Sequence, residues 1–217
     1  SATGIWRGES VSLDLASPQP LVLFAGGAAP MTVAFKAAPA TFSFDGTAGI
    51  SPNAYLDGQA KFSAPSLRRL LEWSQAGIAP GAAIGSVTVS SKITAAAGRI
   101  KFENTAVALD NNPGMGALDF SLTEARPVIS GTLAFDTLDL QSFLSAFTPL
   151  TPAGGTGPGE IDTSFADRVN LDLRLSAAHA TAGPVQLADV AATAQVKNGL
   201  AVFDISDASA FNGNIQS

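Results

Sequence analysis

The chain has 217 residues, a formal net charge of −6, 46% hydrophobic residues and only 14% charged ones. That length suits one large β domain or two small ones, with ample apolar mass for a core, while the charged share falls well below the roughly 25% of an ordinary globular domain. An acidic balance with 12 thinly spread Lys and Arg argues against a nucleic-acid partner, the lack of cysteine excludes a disulfide framework or a thiolate metal site, and a lone histidine cannot build a zinc centre.

Taken in order, the first residues, Ser1 to Gly4, lack the basic and apolar regions of a signal peptide, so the chain reads as a mature form or a piece of something longer. Val11, Leu13 and Leu15 alternate with polar neighbours, the mark of a strand with one wet and one dry face. Three uncharged stretches, residues 15–35, 73–91 and 140–159, are each broken by proline and glycine, as at Pro18, Pro20, Gly26, Gly27 and Pro30 in the first. None offers the run of about 20 regular apolar residues that a spanning helix needs. Any membrane anchor is therefore expected outside this chain.

Phe42 and Phe44 read as a second strand, and Asp45-Gly46 and Asp57-Gly58 as tight hairpin turns, because both dipeptides tolerate positive φ. Ser66 followed by Leu67, Leu70, Leu71 and Trp73 predicts a short helix that stops before Gly77. Val87, Val89 and Ile93 then alternate with Thr88, Ser90 and Lys92. Asp110-Asn111-Asn112, ahead of Pro113-Gly114, lacks the spacing and closing glutamate of a calcium loop and reads as a turn. Leu118, Phe120 and Leu122 form the next apolar face, and Gly131, Leu133 and Phe135 the one after.

Asp139 fits an N-cap before Leu140, Phe143, Leu144 and Phe147, whose i, i+3, i+4, i+7 spacing gives one apolar helical stripe, with Leu138 and Phe143 as its staple. Residues 148–163 are a flexible loop rich in proline and glycine. Val169, Leu171, Leu173 and Leu175 alternate again, and Asn198-Gly199 and Asn212-Gly213 predict the last hairpins. The fold class is mainly β. It is read as a curved antiparallel sheet of repeated hairpin units, groove-like or sandwich, with two short amphipathic helices, forming one module over residues 1–217.

Chemistry finds little support. His179 is the sole available base, and no Gly-x-Ser-x-Gly elbow presents a nucleophile. The glycine-rich run at 154–159 has no following lysine or helix to make a phosphate loop. Asp162 with Asp167, or Asp204 with Asp207, would be the carboxylate pairs for glycan chemistry, yet the chain has only two Trp and one Tyr for sugar stacking. No catalytic, cofactor or metal residue is expected.

A repeat is more informative. Gly58, Phe62, Leu67 and Leu71 match Gly131, Phe135, Leu140 and Leu144 at one constant offset, and Gly98-Arg99-Ile100-Lys101-Phe102 faintly echoes Gly199-Leu200-Ala201-Val202-Phe203. Repetition of strand, helix and further strands points to an extended stack. The dry strand faces must be hidden by a second sheet or by curling of one sheet. The pattern leaves open whether they form a sandwich core or an apolar groove. If a groove exists, Leu133, Phe135, Leu171, Leu173, Leu175, Val87, Val89, Leu118 and Phe120 are its expected lining.

The segments 128–144 and 56–71, each a glycine, a strand and a helix, the first with Leu138-Asp139-Leu140 at the junction, resemble an element of the bacterial AsmA family. Residues 169–217 are similar to that family's C-terminal region, although Phe211-Asn212-Gly213-Asn214 departs from its usual aromatic followed by two glycines. The resemblance covers residues 40–217. It implies a non-enzymatic periplasmic protein whose parent is anchored in the inner membrane. As with TamB-like relatives, the implied partners are phospholipid acyl chains and other envelope proteins, and the implied role is lipid transport in outer-membrane assembly. The rival expectation is a closed β-sandwich that binds no lipid.

Overall fold

A computed structural model describes residues 1–49, 54–74, 85–110, 112–140, 143, 169–211 and 213–215. Among the described residues thirteen strands form a single sheet in strict sequence order. They are β1 (Ala2–Trp6), β2 (Glu9–Ala16), β3 (Ala28–Ala37), β4 (Thr41–Gly49), β5 (Tyr55–Ala64), β6 (Val87–Ala96), β7 (Arg99–Leu109), β8 (Asn112–Ser121), β9 (Val128–Asp139), β10 (Asn170–Ala182), β11 (Val185–Lys197), β12 (Leu200–Ala210) and β13 (Gly213–Ile215). Helix α1 (Pro20–Phe24) joins β2 to β3, and α2 (Leu67–Ser74) follows β5. The edges β1 and β13 do not pair with each other, so the sheet is open.

The sheet is mixed rather than wholly antiparallel as the sequence predicted. β9 and β10 run parallel, with Leu175 beside Leu133 and Ala177 beside Phe135. Parallel neighbours need a crossover of a dozen or more residues to carry the chain back. Tight turns join most of the other strands. Asn198 (φ 54°) and Gly199 (φ 83°) close β11 onto β12 where Asn-Gly predicted it. Arg7-Gly8 and Ala97-Gly98 adopt the same paired positive φ between β1 and β2 and between β6 and β7. Replacing Asn198 with alanine is expected to cost about 1 kcal/mol, the usual left-handed penalty. The corresponding loss of roughly 2–4 °C in Tm is readable in a thermal melt, and an unchanged Tm would contradict this account of the turn.

Two predicted turns are strand interiors instead. Asp45-Gly46 lies within β4 and Asp57-Gly58 within β5, and Gly46 faces Gly58 across the pair. A Cβ on Gly46 would stand 2.3 Å from the Asp57 carbonyl oxygen, and one on Gly58 would stand 2.4 Å from that of Asp45. Glycine is required here by close backbone approach rather than by a turn. The same crowding recurs on the same face at β8 and β9, where a Cβ on Gly116 or Gly131 would meet the Thr132 or Ala117 carbonyl oxygen. Glycine kinks of this kind bend a sheet toward the face that lacks side chains. Gly58 and Gly131, matched by the repeat, thus sit at two equivalent creases.

Following the register across the sheet, every buried strand hydrophobe falls on one face. Among the described residues only α1, α2 and the turn at Leu140 are helical, so most of that face is hidden by the curl of the sheet itself. On β10 the buried positions run Leu173, Leu175, Ala177 and then Ala180; on β11 they run Leu187, then Val190 and Ala192. At that three-residue step the alternation slips on both strands together, while the register between β9, β10 and β11 stays unbroken. In β11 Asp189 takes the left-handed conformation (φ 52°), and the pairing with β12 shifts beside it. In β7 the corresponding residue is Asn104 (φ 50°), between Phe102 and Thr105 in the pairing with β8.

Candidate functional site

The inner face of the curled sheet forms a trough. At a rise of about 3.3 Å per residue, strands of this length make it on the order of 35 Å long. From β3 to β11 the inward register positions carry no charged side chain. Their one buried polar pair is Ser91 and Thr105, at the Asn104 bulge. The Ser91 hydroxyl bridges the Lys92 and Glu103 carbonyl oxygens at 3.0 Å each and lies 2.9 Å from the Thr105 hydroxyl. It therefore needs no further partner inside the trough.

All nine expected lining residues lie on this face. Phe135, Leu173 and Leu175 are buried in a core cluster or beside it. Val87, Val89 and Leu133 are half-buried, as are Leu118, Phe120 and Leu171. The sequence reading missed Ile100 and Phe102 of β7, although their alternation with Arg99, Lys101 and Glu103 was visible. Phe102 and Phe120 meet across β7 and β8 with ring centroids 5.3 Å apart.

The two ends of the trough differ. At one end α2 reaches from β5 to the tip of the β1–β2 hairpin. The Ser66 hydroxyl accepts from the Arg69 amide at 3.3 Å and caps the helix. Trp73 meets Trp6 edge-on at 4.6 Å and donates its indole N–H to the Trp6 carbonyl at 3.2 Å. Arg69 binds Glu9 at 2.6 Å, and Arg7 donates to the Trp73 carbonyl at 2.8 Å. At the same end Leu140 and Phe143 are helical and buried in one core cluster with Leu138, Leu175, Ala180 and Leu187. Leu144 and Phe147 of that expected stripe, and the loop at 148–163, lie outside the described residues.

At the opposite end the trough stays open. Met31, Leu56, Ala95, Ile100 and Leu122 line an apolar recess of about 420 Å³ between β3 and β8, within the roughly 300–1,000 Å³ of small-molecule pockets. Helix α1, which the sequence reading missed, flanks this mouth. Leu23 packs on Ala29 and Ala48, with Met31 and Leu56 beside them.

Chemically active groups lie outside the trough. His179 is exposed and lines an open groove with Thr137, Asp139, Thr181 and Gln186. Asp204 and Asp207 are exposed on β12, and Asp162 and Asp167 lie outside the described residues. Asp110 ends β7 in a turn (φ 49°), and its carboxylate accepts from the Gly85 and Ser86 amides at 2.9 and 2.7 Å. Among the described residues no three His, Cys, Asp or Glu side chains gather where they could hold a metal, and no helix is long and apolar enough to cross a membrane. Set against known proteins, the chain matches no family model, no curated protein and no solved structure.

Proposed function

We propose that this chain is a non-enzymatic module of the bacterial periplasm, AsmA-like, that shelters phospholipid acyl chains on their way between the inner and outer membranes. Its parent is held in the inner membrane by an anchor outside this sequence. The observation that carries the reading is the uncharged inner face of one open sheet, which is only half-buried at Leu56, Phe102, Leu118 and Phe120. Each methylene moved from water onto such a surface gains about 0.8 kcal/mol, so a chain of a dozen gains on the order of 10 kcal/mol before the costs of ordering it.

Native mass spectrometry of protein purified without detergent tests this. Phospholipid is expected to travel with the chain at stoichiometric levels and to be displaced by a fluorescent fatty acid. Protein that emerges lipid-free and takes up no such probe would instead fit a closed interaction module. The packing of Leu175, Val190 and Phe203 in one core cluster favours that second reading for β9 to β12.

A further inference from the structure

Exposed apolar side chains crowd at the open end. Leu15, Leu122 and Leu200 lie there, but the most exposed are on α1: Leu21 is 80% and Phe24 81% exposed, while Leu23 between them is only 7% exposed. The helix has five residues and is firmly closed. The Gly27 amide donates to the Val22 carbonyl at 2.8 Å, and the Ala25 amide to that of Leu21 at 3.0 Å, with Gly26 at φ 85°. It therefore holds Leu21 and Phe24, three residues apart on one side of the helix, in water at the cost of two large apolar surfaces.

Charge at this end tells what they meet. No charged residue occurs between Asp14 and Lys36. At this end of the sheet lie Arg99 and Lys197 at strand ends, and Arg126 in the β8–β9 connection beside Glu124, in a chain of net charge −6. An uncharged apolar tip at a sheet end that also carries cations is the composition of a segment that lies in the interface of an anionic bilayer. We propose that α1 is an interfacial anchor: Leu21 and Phe24 enter the acyl region of a membrane bearing anionic phospholipid and seat the open mouth of the trough against it. The surface of Leu23, Met31 and Leu56 then continues from the bilayer into the trough. This inference rests on the trough reading above for its purpose, although membrane binding is measurable without it.

Flotation with phosphatidylcholine vesicles, with and without phosphatidylglycerol, tests the anchor. Wild-type chain is expected to float with the anionic vesicles. The double substitution Leu21→Ser and Phe24→Ser is expected to lower the bound fraction on the order of tenfold or more, whereas Phe211→Ser, equally exposed at the far end, leaves it unchanged. Equal flotation of wild type and double variant overturns the anchor. So does a wild-type dimer that the double substitution converts to monomer, because the tip then serves a second copy. Uptake of a water-soluble fluorescent fatty acid separates the two ideas. Uptake without flotation removes the anchor and leaves the trough standing, and flotation without uptake does the reverse.

Discussion

Replacing Gly58 with alanine is expected to cost about 3 kcal/mol and lower Tm by roughly 10 °C. The new methyl group would lie 2.4 Å from the Asp45 carbonyl oxygen and 2.6 Å from the Gly46 Cα, both backbone atoms, and 2.9 Å from the Phe44 ring. Phe44 is itself buried with Ala60 and Ile93, so neither the strand nor the ring has room to retreat. Domains of this kind have only about 5–15 kcal/mol of stability in total, which makes this a large fraction for one methyl group. Gly4→Ala is the matched control. It lies in the exposed edge strand β1, and a Cβ there meets nothing within 4 Å. Alanine at position 4 is expected to leave Tm unchanged or slightly raised, since glycine in a strand costs entropy without compensating contact. Equal melts for the two variants would remove the close approach of β4 and β5 as the reason for glycine.

That contrast explains which features were readable beforehand. Alternation was, because one wet face and one dry face force a period of two whatever the curvature; it placed all nine lining residues on one side. Turn chemistry was readable at Asn198-Gly199 and misleading at Asp45-Gly46 and Asp57-Gly58. Glycine meets two needs, positive φ in a turn and the absence of a Cβ where strands crowd, and the dipeptide alone does not say which applies. The turns at Arg7-Gly8 and Ala97-Gly98 gave the converse difficulty. Arginine and alanine have no preference for φ near 50°, so the register of the flanking strands imposes it there. Phe211, not Gly213, carries positive φ in the last turn (50°), and Gly213 already begins β13. The parallel junction of β9 with β10 left no local trace, because direction is decided by the intervening residues rather than by either strand. Helix α1 was hidden by Pro20, which suits the first turn of a helix as well as it suits a loop. The openness of the trough is a property of the curl, set by bulges and glycine creases far apart in sequence.

The strongest effect on lipid is expected from Phe120→Asp. Phe120 faces inward on β8 opposite Ile100 and Ile129, touches Phe102, and is half-buried in the open part of the trough. A carboxylate placed there meets any acyl chain that occupies the inner face. It must then give up its water, at a cost of several kcal/mol, or hold the chain away. Copurified phospholipid and fatty-acid uptake are both expected to fall at least about a hundredfold, the equivalent of some 2.7 kcal/mol. Because Phe120 is only half-buried, the fold should survive with a loss of about 1–2 kcal/mol, which a melt will show. Ala117→Asp provides the comparison: the same charge on the same strand, but on the exposed outer face. Phe120→Leu keeps the surface apolar and should keep the lipid. If Ala117→Asp and Phe120→Asp depress binding alike, the effect is one of net charge and the inner face is not the path. If only Phe120→Asp does so in a folded chain, acyl contact is fixed to one side of the sheet.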